Sequence, residues 1–466
     1  MPRTPQPRII TVLAASTATL ASFAIAPAAH AVNLHDATSA LAIGGRYQVT
    51  RITHTGDITA DLTAAAKAPA SADQPRVITL PTGTLRLTAQ VRVASHVYLV
   101  AESGTTVQLA KSADQLLWFN AVTGGVYGGT WDAAGKASSV IGTKASTVRM
   151  ANLTVRNAKK NGIVGYAKTR LTLSGVTSTG NANDGIYLAE ASTLDATKVR
   201  AVKNRRNGMQ LSSGARGTID DSTLDGNGVA VTGSTTGKVG HGLGVASARA
   251  TVTDTSMSSN GVCGASLTGS VNVTLARTTL SGNGRHGVGT TPGVKAAISD
   301  SVVSNNGYNG VLASGSGTQL RLDRVTIAGT SRHGLSVPSK GTATLHRSTI
   351  TTSGASNISV SDKGTLSMDG ENRVTGGRAE GITVTRGSKL TVTSTGNVIG
   401  TNKASGLMVS GKGTSGRISK SVTFEANGKY GILVKTKAKL ATVANSFVKN
   451  KSAAIHQQSG GKVTKI

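Results

Sequence analysis

Cysteine and aromatic residues are nearly missing from this chain, and acidic residues are few. A single cysteine, Cys263, leaves no intramolecular disulfide framework, so stability has to come from packing. Aromatics make up 3% of the residues, which withholds the stacking platforms that a single-strand nucleic-acid binder uses. Asp and Glu number 21 against 50 Lys and Arg; the formal charge of +29 calls for an anionic partner and leaves few carboxylates from which to build a Ca2+ cage. After residue 31 no apolar run is long enough to cross a membrane.

Within the first 31 residues, Arg3 and Arg8 precede an Ala-rich apolar run from Ile9 to Ile25 and an Ala29-His30-Ala31 site, the pattern of an export signal cleaved before Val32. The expectation is a secreted, monomeric protein with no membrane association, divided into a signal peptide (1–31), an N-terminal cap with the first coils (32–123) and a repeat region (124–466). Removing the two signal arginines lowers the charge only to about +27.

Glycine is what the chain has in abundance, and it is periodic. A Gly followed by an aliphatic residue recurs at roughly 23-residue spacing, from Gly162-Ile163, Gly185-Ile186, Gly208-Met209 and Gly242-Leu243 to Gly431-Ile432, with Asn357-Ile358 and Ala454-Ile455 standing in where the glycine is missing. Each repeat continues with alternation, as in Ile186-Tyr187-Leu188, and most add a second alternating run such as Leu171-Thr172-Leu173. That period of two is a strand signal. A unit so short cannot bury its own apolar face, but stacked units would join Ile163, Ile186, Met209 and Leu243 into one interior column. The repeats thus predict a parallel β-helix, about a dozen coils forming a rod on the order of 60 Å long at the ~4.8 Å strand spacing.

An asparagine stands four residues before many of the repeat glycines, at Asn181, Asn204, Asn260, Asn283, Asn306, Asn402, Asn427 and Asn450. Stacked Asn amides can hydrogen-bond from coil to coil, and Asn tolerates a left-handed turn, so this reads as a structural ladder. The glycine that often follows it (Gly261, Gly284, Gly307, Gly428) fits a tight turn. Before the repeats, Ile58 to Ala68 can form a short amphipathic helix ended by Pro69, followed by strand-like Val77–Leu80, Leu85–Leu87 and Val97–Val100. A helix there would cover the open first coil.

This order, a helix, then Leu80 to Leu87 (LPTGTLRL), then a strand before Gly104-Thr105-Thr106, resembles the pectate-lyase superfamily. The resemblance implies an all-β, right-handed parallel β-helix (β-solenoid) with a short N-terminal capping helix, and a carbohydrate-active function.

Candidate chemistry sits immediately before the repeat glycines, where the register would point side chains outward. Asn161, Asp184, Asn207, His241, Cys263, His286, Asn309, His333, Ser356, Glu380, Ser405 and Tyr430 occupy these positions, flanked by Arg206, Arg285 and Arg332. His241 and His286 would lie two coils apart, roughly 9.6 Å, too far to share a metal. Cys263 between them lacks a third group to orient a Cys-His pair. The long repeat from Gly208 to Gly242 carries a Gly/Ser/Thr-rich insertion near Gly228–Gly240, which reads as a surface loop.

Asn183-Asp184-Gly185-Ile186, Gly240-His241-Gly242-Leu243-Gly244-Val245 and Gly128-Gly129-Thr130-Trp131-Asp132 resemble segments of polygalacturonase-type glycoside hydrolases. That resemblance implies Asp184 as a catalytic carboxylate and His241 as its support. The chain departs from the pattern one coil later, where Arg206-Asn207 replaces a pair of aspartates, so a second acid would have to come from Asp220, Asp221 or Asp225.

Elimination from a uronate asks for a carboxylate clamp, a base for the C5 proton and an acid for the leaving oxygen. The sequence offers Arg206 and Arg285 with Asn207 as the clamp, His241 or His286 as the base, Tyr187 as the proton donor, and Arg332 and His333 as further substrate contacts. The leading expectation is therefore a polysaccharide lyase needing no cofactor or metal and acting on an acidic polysaccharide. A C5-epimerase shares the proton abstraction. A hydrolase and a non-catalytic basic rod for anionic cell-surface polymer are the alternatives, and nucleic acid is not an expected partner.

Overall fold

The computed structural model describes residues 33–229 and 239–466. The expected export signal and the middle of the insertion lie outside them.

Each coil runs through three short strands that belong to three different sheets, as in Arg170–Ser174, Thr177–Thr179 and Ile186–Leu188, after which Thr193–Thr197 returns to the first sheet. All pairings between coils are parallel: Leu171 faces Leu194, Thr177 faces Arg200, and Ile186 faces Met209. The first sheet holds 18 strands and the third 16. The second is split into runs of 7 and 8 strands, joined by single bridges at Thr223 and Ser256. Eighteen strands at the ~4.8 Å spacing make a rod of roughly 80 Å. The dozen coils expected from the glycine count fell short because the coils before Gly162 lack the repeat glycine, Val140 standing at its place in the coil just before.

The interior column forms as the alternation required. Ile163, Ile186, Met209, Leu243, Ala265, Val288, Val311 and Leu335 are wholly buried. The repeat glycines and the Asn ladder turn out to be one device. A Cβ on Gly185 would stand 2.6 Å from the Asn204 amide nitrogen and 2.7 Å from the Gly208 carbonyl of the next coil, so the ladder amide fills the space a side chain would take. Asn181 Nδ2 donates to Asn204 Oδ1 (2.9 Å), Asn204 to Asn227 (3.1 Å), Asn227 to Asn260 (3.2 Å), and Asn260 to Asn283 (3.1 Å).

Two details differ from the sequence reading. The left-handed residue is the one before the ladder asparagine, such as Gly180 (φ 65°), Lys203 (φ 56°) or Asn305 (φ 54°). The glycine after the asparagine serves close approach: a Cβ on Gly261 or Gly307 would collide with the carbonyl of Gly228 or Gly284 in the preceding coil.

The expected helix is present as α2 (Thr59–Lys67), in the place where a third-sheet strand would complete the first coil. Its Ile58, Leu62 and Ala66 side join the main core, and the Ala66 carbonyl accepts the Ala94 N–H of the next coil at 2.9 Å. A helix that the sequence did not suggest, α1 (Leu34–Ala40), lies across the outer face of the first sheet. There Ala37 and Leu41 build a second small core with Val77, Tyr98 and Val100.

Candidate functional site

The residues before the repeat glycines do not form an outward stripe. Asp184, Asn207, Cys263, His286, Asn309, Ser356 and Ser405 are buried, and His241 and His333 are partly so. Several of their polar atoms are spent along the rod, where Asn161, Asp184, Asn207, His241 and Asn309 accept the backbone N–H of the counterpart one coil on. Asn161 Oδ1 accepts Asp184 N–H (3.1 Å), Asp184 Oδ1 accepts Asn207 N–H (3.0 Å), Asn207 Oδ1 accepts His241 N–H (2.9 Å), and His241 Nδ1 accepts Cys263 N–H (3.2 Å). This second ladder explains why acceptor side chains recur at the register. Buried backbone donors need partners.

A cleft of about 500 Å3 opens where the outer face of the third sheet steps from Tyr187 and Gln210 to Gly244 and Ser266. The absent side chain at Gly244 makes room for the Gln210 amide, which a Cβ there would strike. Asn183, Arg205, Arg206, Asn207, Gln210 and His241 supply its polar wall, and among the described residues no Asp or Glu lines it. The insertion leaves from the same rim, with its ends pinned by Val239 N–H on the Gly228 carbonyl at 3.0 Å.

Asp184 lies behind this wall with no exposed surface, and Arg206 Nη1 stands 3.6 Å from its Oδ2. Burial raises its pKa against the opposing pull of Arg206 and of the Asn207 hydrogen bond. His241 is pushed down to about 4, first by burial and then by Arg206, so it is neutral at pH 7. Because Nδ1 accepts an N–H, the ring proton sits on Nε2, and His241 is a hydrogen-bond donor. Asn207 Nδ2 donates to Gln210 Oε1 at 2.9 Å. Tyr187, one coil before Gln210, accepts from Ser212 Oγ at 3.2 Å, which leaves its own proton to donate.

The sequence-derived residues therefore divide. Asp184, Arg206, Asn207 and His241 meet at or behind the cleft, and Tyr187 stands one coil before it, beside Gln210. His286, Arg285, Arg332 and His333 belong to a separate cluster farther along the rod. There Tyr308 meets the His286 ring edge-on at 5.4 Å, and Arg332 lies 4.8 Å over the Tyr308 ring. His286 is 3% exposed, which removes it from any polymer on the surface and so from the role of base. Its pKa falls to about 4 through burial and the Arg285 charge. His333 donates from Nδ1 to the Ser356 carbonyl at 2.9 Å, so its lone pair is on Nε2. Cys263 is buried and its thiol is pushed up to about 11 by burial, so it is no nucleophile.

The carboxylates named as completing a hydrolase pair face elsewhere. Asp220 accepts from Thr253 on the first sheet, and Asp225 accepts from Ser256 Oγ (2.9 Å) and Ser258 N–H (2.6 Å) on the second. Asp221 forms a left-handed turn beside the first sheet. Among the described residues no three His, Cys, Asp or Glu side chains converge as metal ligands. Sequence reasoning gave no role to Asn183 or Tyr308, although both stand two residues before a repeat glycine, the register of Arg206, Arg285 and Arg332.

A three-sheeted parallel coil with a basic, acid-free cleft on its third sheet defines a β-solenoid with an anion-suited site. The chain belongs to the right-handed β-helix family, whose model, right handed beta helix region, matches residues 132–242, 161–324, 241–397 and 309–466. No curated protein matches it. Similar solved structures include a pectate lyase, 14% identical with a TM-score of 0.44 over 63% of this chain and 80% of that one. The catalytic domain of an α-1,3-glucanase solved with nigerose is 12% identical, with a TM-score of 0.47 over 67% and 66% of the two chains. The A-module of an Azotobacter vinelandii mannuronan C-5 epimerase is 14% identical, with a TM-score of 0.32 over 88% and 96%.

Proposed function

We propose that this is an exported β-helix protein that binds an acidic, uronate-containing polysaccharide in the third-sheet cleft and cleaves it by β-elimination. The observation that carries the reading is the composition of the cleft: guanidinium and amide groups with a neutral imidazole donor, and no lining carboxylate. Arg206 and Arg205 would pair with the uronate carboxylate, and Asn183, Asn207 and Gln210 would fix the sugar through hydrogen bonds. The C5 proton would pass to a solvent water admitted to the cleft, while the Nε2–H of His241 would face the charge that develops on the uronate as that proton leaves, a task a neutral imidazole performs without repelling the nearby guanidinium. Tyr187, its oxygen already accepting from Ser212, is the proton donor for the departing oxygen.

Hydrolysis finds less support. Asp184 has no exposed surface, and the cleft offers no second carboxylate to activate water.

Binding without turnover is the second reading, favoured by one observation: the lone pair of His241 that would take the C5 proton already holds the Cys263 N–H. The purified chain from Val32 onward, incubated with pectic, alginate and glucuronan polymers, separates the readings. Unsaturated-uronate absorbance rising together with reducing ends supports elimination. Reducing ends alone mean hydrolysis, and salt-sensitive binding with neither signal means a binding rod.

A further inference from the structure

The first sheet carries a second basic surface, on a different face of the rod from the cleft. At the leading edge of its strands Arg216 faces Arg249, Arg249 faces Asn272, Asn272 faces Lys295, and Lys295 faces Gln319, one coil apart in turn. All five side chains are exposed. Small turn residues beside them, Gly214, Ser247, Ser270 and Gly293, leave a groove of about 480 Å3 that Arg216, Arg249, Asn272 and Lys295 line.

Charge on this sheet is sorted by edge except at Asp195, which is exposed in the row between the edges, one coil before Thr218. No Asp or Glu occurs in the row from Arg170 to Lys462. The carboxylates of the opposite edge are engaged: Asp323 pairs with Arg324 at 2.9 Å, Asp369 with His346 at 3.2 Å, and Asp220 accepts from Thr253. Arg216, Arg249 and Lys295 take part in none of the ion pairs of the described residues. Arg216 and Arg249 stand one coil, ~4.8 Å, apart and Lys295 follows two coils, ~9.6 Å, farther on, so these unpaired cations present a positive track along the rod axis.

We propose that this groove is a non-catalytic binding track for an extended anionic polysaccharide lying along the rod axis. Its ligand class is that of the proposed substrate, but it stands on different residues and does not need the cleft to be active. The groove shows why sugar is the fitting partner. The neighbouring outward row offers hydroxyls at Thr218, Thr251 and Thr274, suited to a polyhydroxylated chain, and no aromatic side chain lines the groove on which a nucleobase could stack.

The test compares wild type, the row variant Arg216→Ser/Arg249→Ser/Lys295→Ser, and a control, Lys403→Ser/Lys449→Ser/Lys451→Ser, that removes equal charge from exposed positions elsewhere. Affinity for polygalacturonate, for its fully methyl-esterified form and for single-stranded DNA is measured from low to physiological salt. The expected result is at least a tenfold loss for polygalacturonate in the row variant with a flatter salt dependence, and under twofold change in the control. The ester should bind weakly throughout, and Arg216→Lys/Arg249→Lys should retain binding.

Binding of a short uronate oligosaccharide, which reports on the cleft, should be unchanged in the row variant, so failure of the track and failure of the cleft are read separately. Equal weakening by both triple variants, undiminished binding in the row variant, or row-dependent binding of DNA in preference to polysaccharide would each overturn the proposal.

Discussion

His241 accepts the backbone N–H of Cys263 through Nδ1 at 3.2 Å, which commits its ring proton to Nε2. Four coils on in the same register, His333 does the reverse and donates from Nδ1 to the Ser356 carbonyl at 2.9 Å. Two histidines at one repeat position are thereby set as a donor and an acceptor toward the surface, by whichever backbone group the next coil presents.

The first expected outcome is spectroscopic. At pH 7 the imidazole nitrogens of His241 should report the Nε2–H tautomer and those of His333 the Nδ1–H tautomer in 15N correlation spectra, with His241→Asn and His333→Asn providing assignments. One tautomer at both sites would refute the ladder geometry.

Acid should weaken the fold through the same residues. The folded pKa values of His241 and His286, about 4, lie below the ordinary 6.5, so between these values the unfolded chain binds more protons. Unfolding free energy should therefore be highest above about pH 6.5, decline as pH falls toward about 4, and stop declining on their account below that. In the double variant His241→Asn/His286→Asn, where an amide at position 241 can still accept the Cys263 N–H, denaturant midpoints should fall less steeply over this window. An unchanged slope would show that these imidazoles are not buried neutral.

Asp184 is expected to matter as a ladder acceptor. Asp184→Asn keeps an oxygen for the Asn207 N–H and should fold, with Arg206 released and uronate affinity raised. Asp184→Ala leaves that buried N–H unpaired and should cost about 1–3 kcal/mol. Equal destabilisation by both variants in urea titration would count against this role.

The repeat glycines, the apolar column and the Asn ladder were legible in the sequence because each recurs at the coil period and answers to one physical need. Asn227 escaped notice because the insertion separates it from Gly242, although it bonds to Asn204 and Asn260 like any other rung. The orientation of the pre-glycine residues was misread for a related reason. Polar identity at positions such as Asp184 and His286 suggested solvent, whereas those atoms satisfy backbone donors of the next coil, or in His286 are simply buried. The cleft was half legible: Arg206, Asn207 and His241 were named from their register, but the hollow itself comes from Gly244 and Ser266, whose contribution is missing volume.

The ladder makes a further expectation at mid-rod. Asn260 accepts from Asn227 and donates to Asn283, and Asn260→Ala would strand buried polar groups in two coils. A loss of about 1–3 kcal/mol is expected, read as a lower denaturant midpoint. Wild-type stability in this variant would mean that the stacked apolar column alone holds the coils.

The central claim, that the third-sheet cleft is a carboxylate-binding site, is tested most directly by calorimetric titration of a saturated uronate oligosaccharide and its methyl ester into wild type and Arg206→Gln. The expected result is binding of the free acid to wild type, weakened at least tenfold by esterification and by Arg206→Gln alike. Equal affinity for acid and ester, or full affinity in Arg206→Gln, would contradict it.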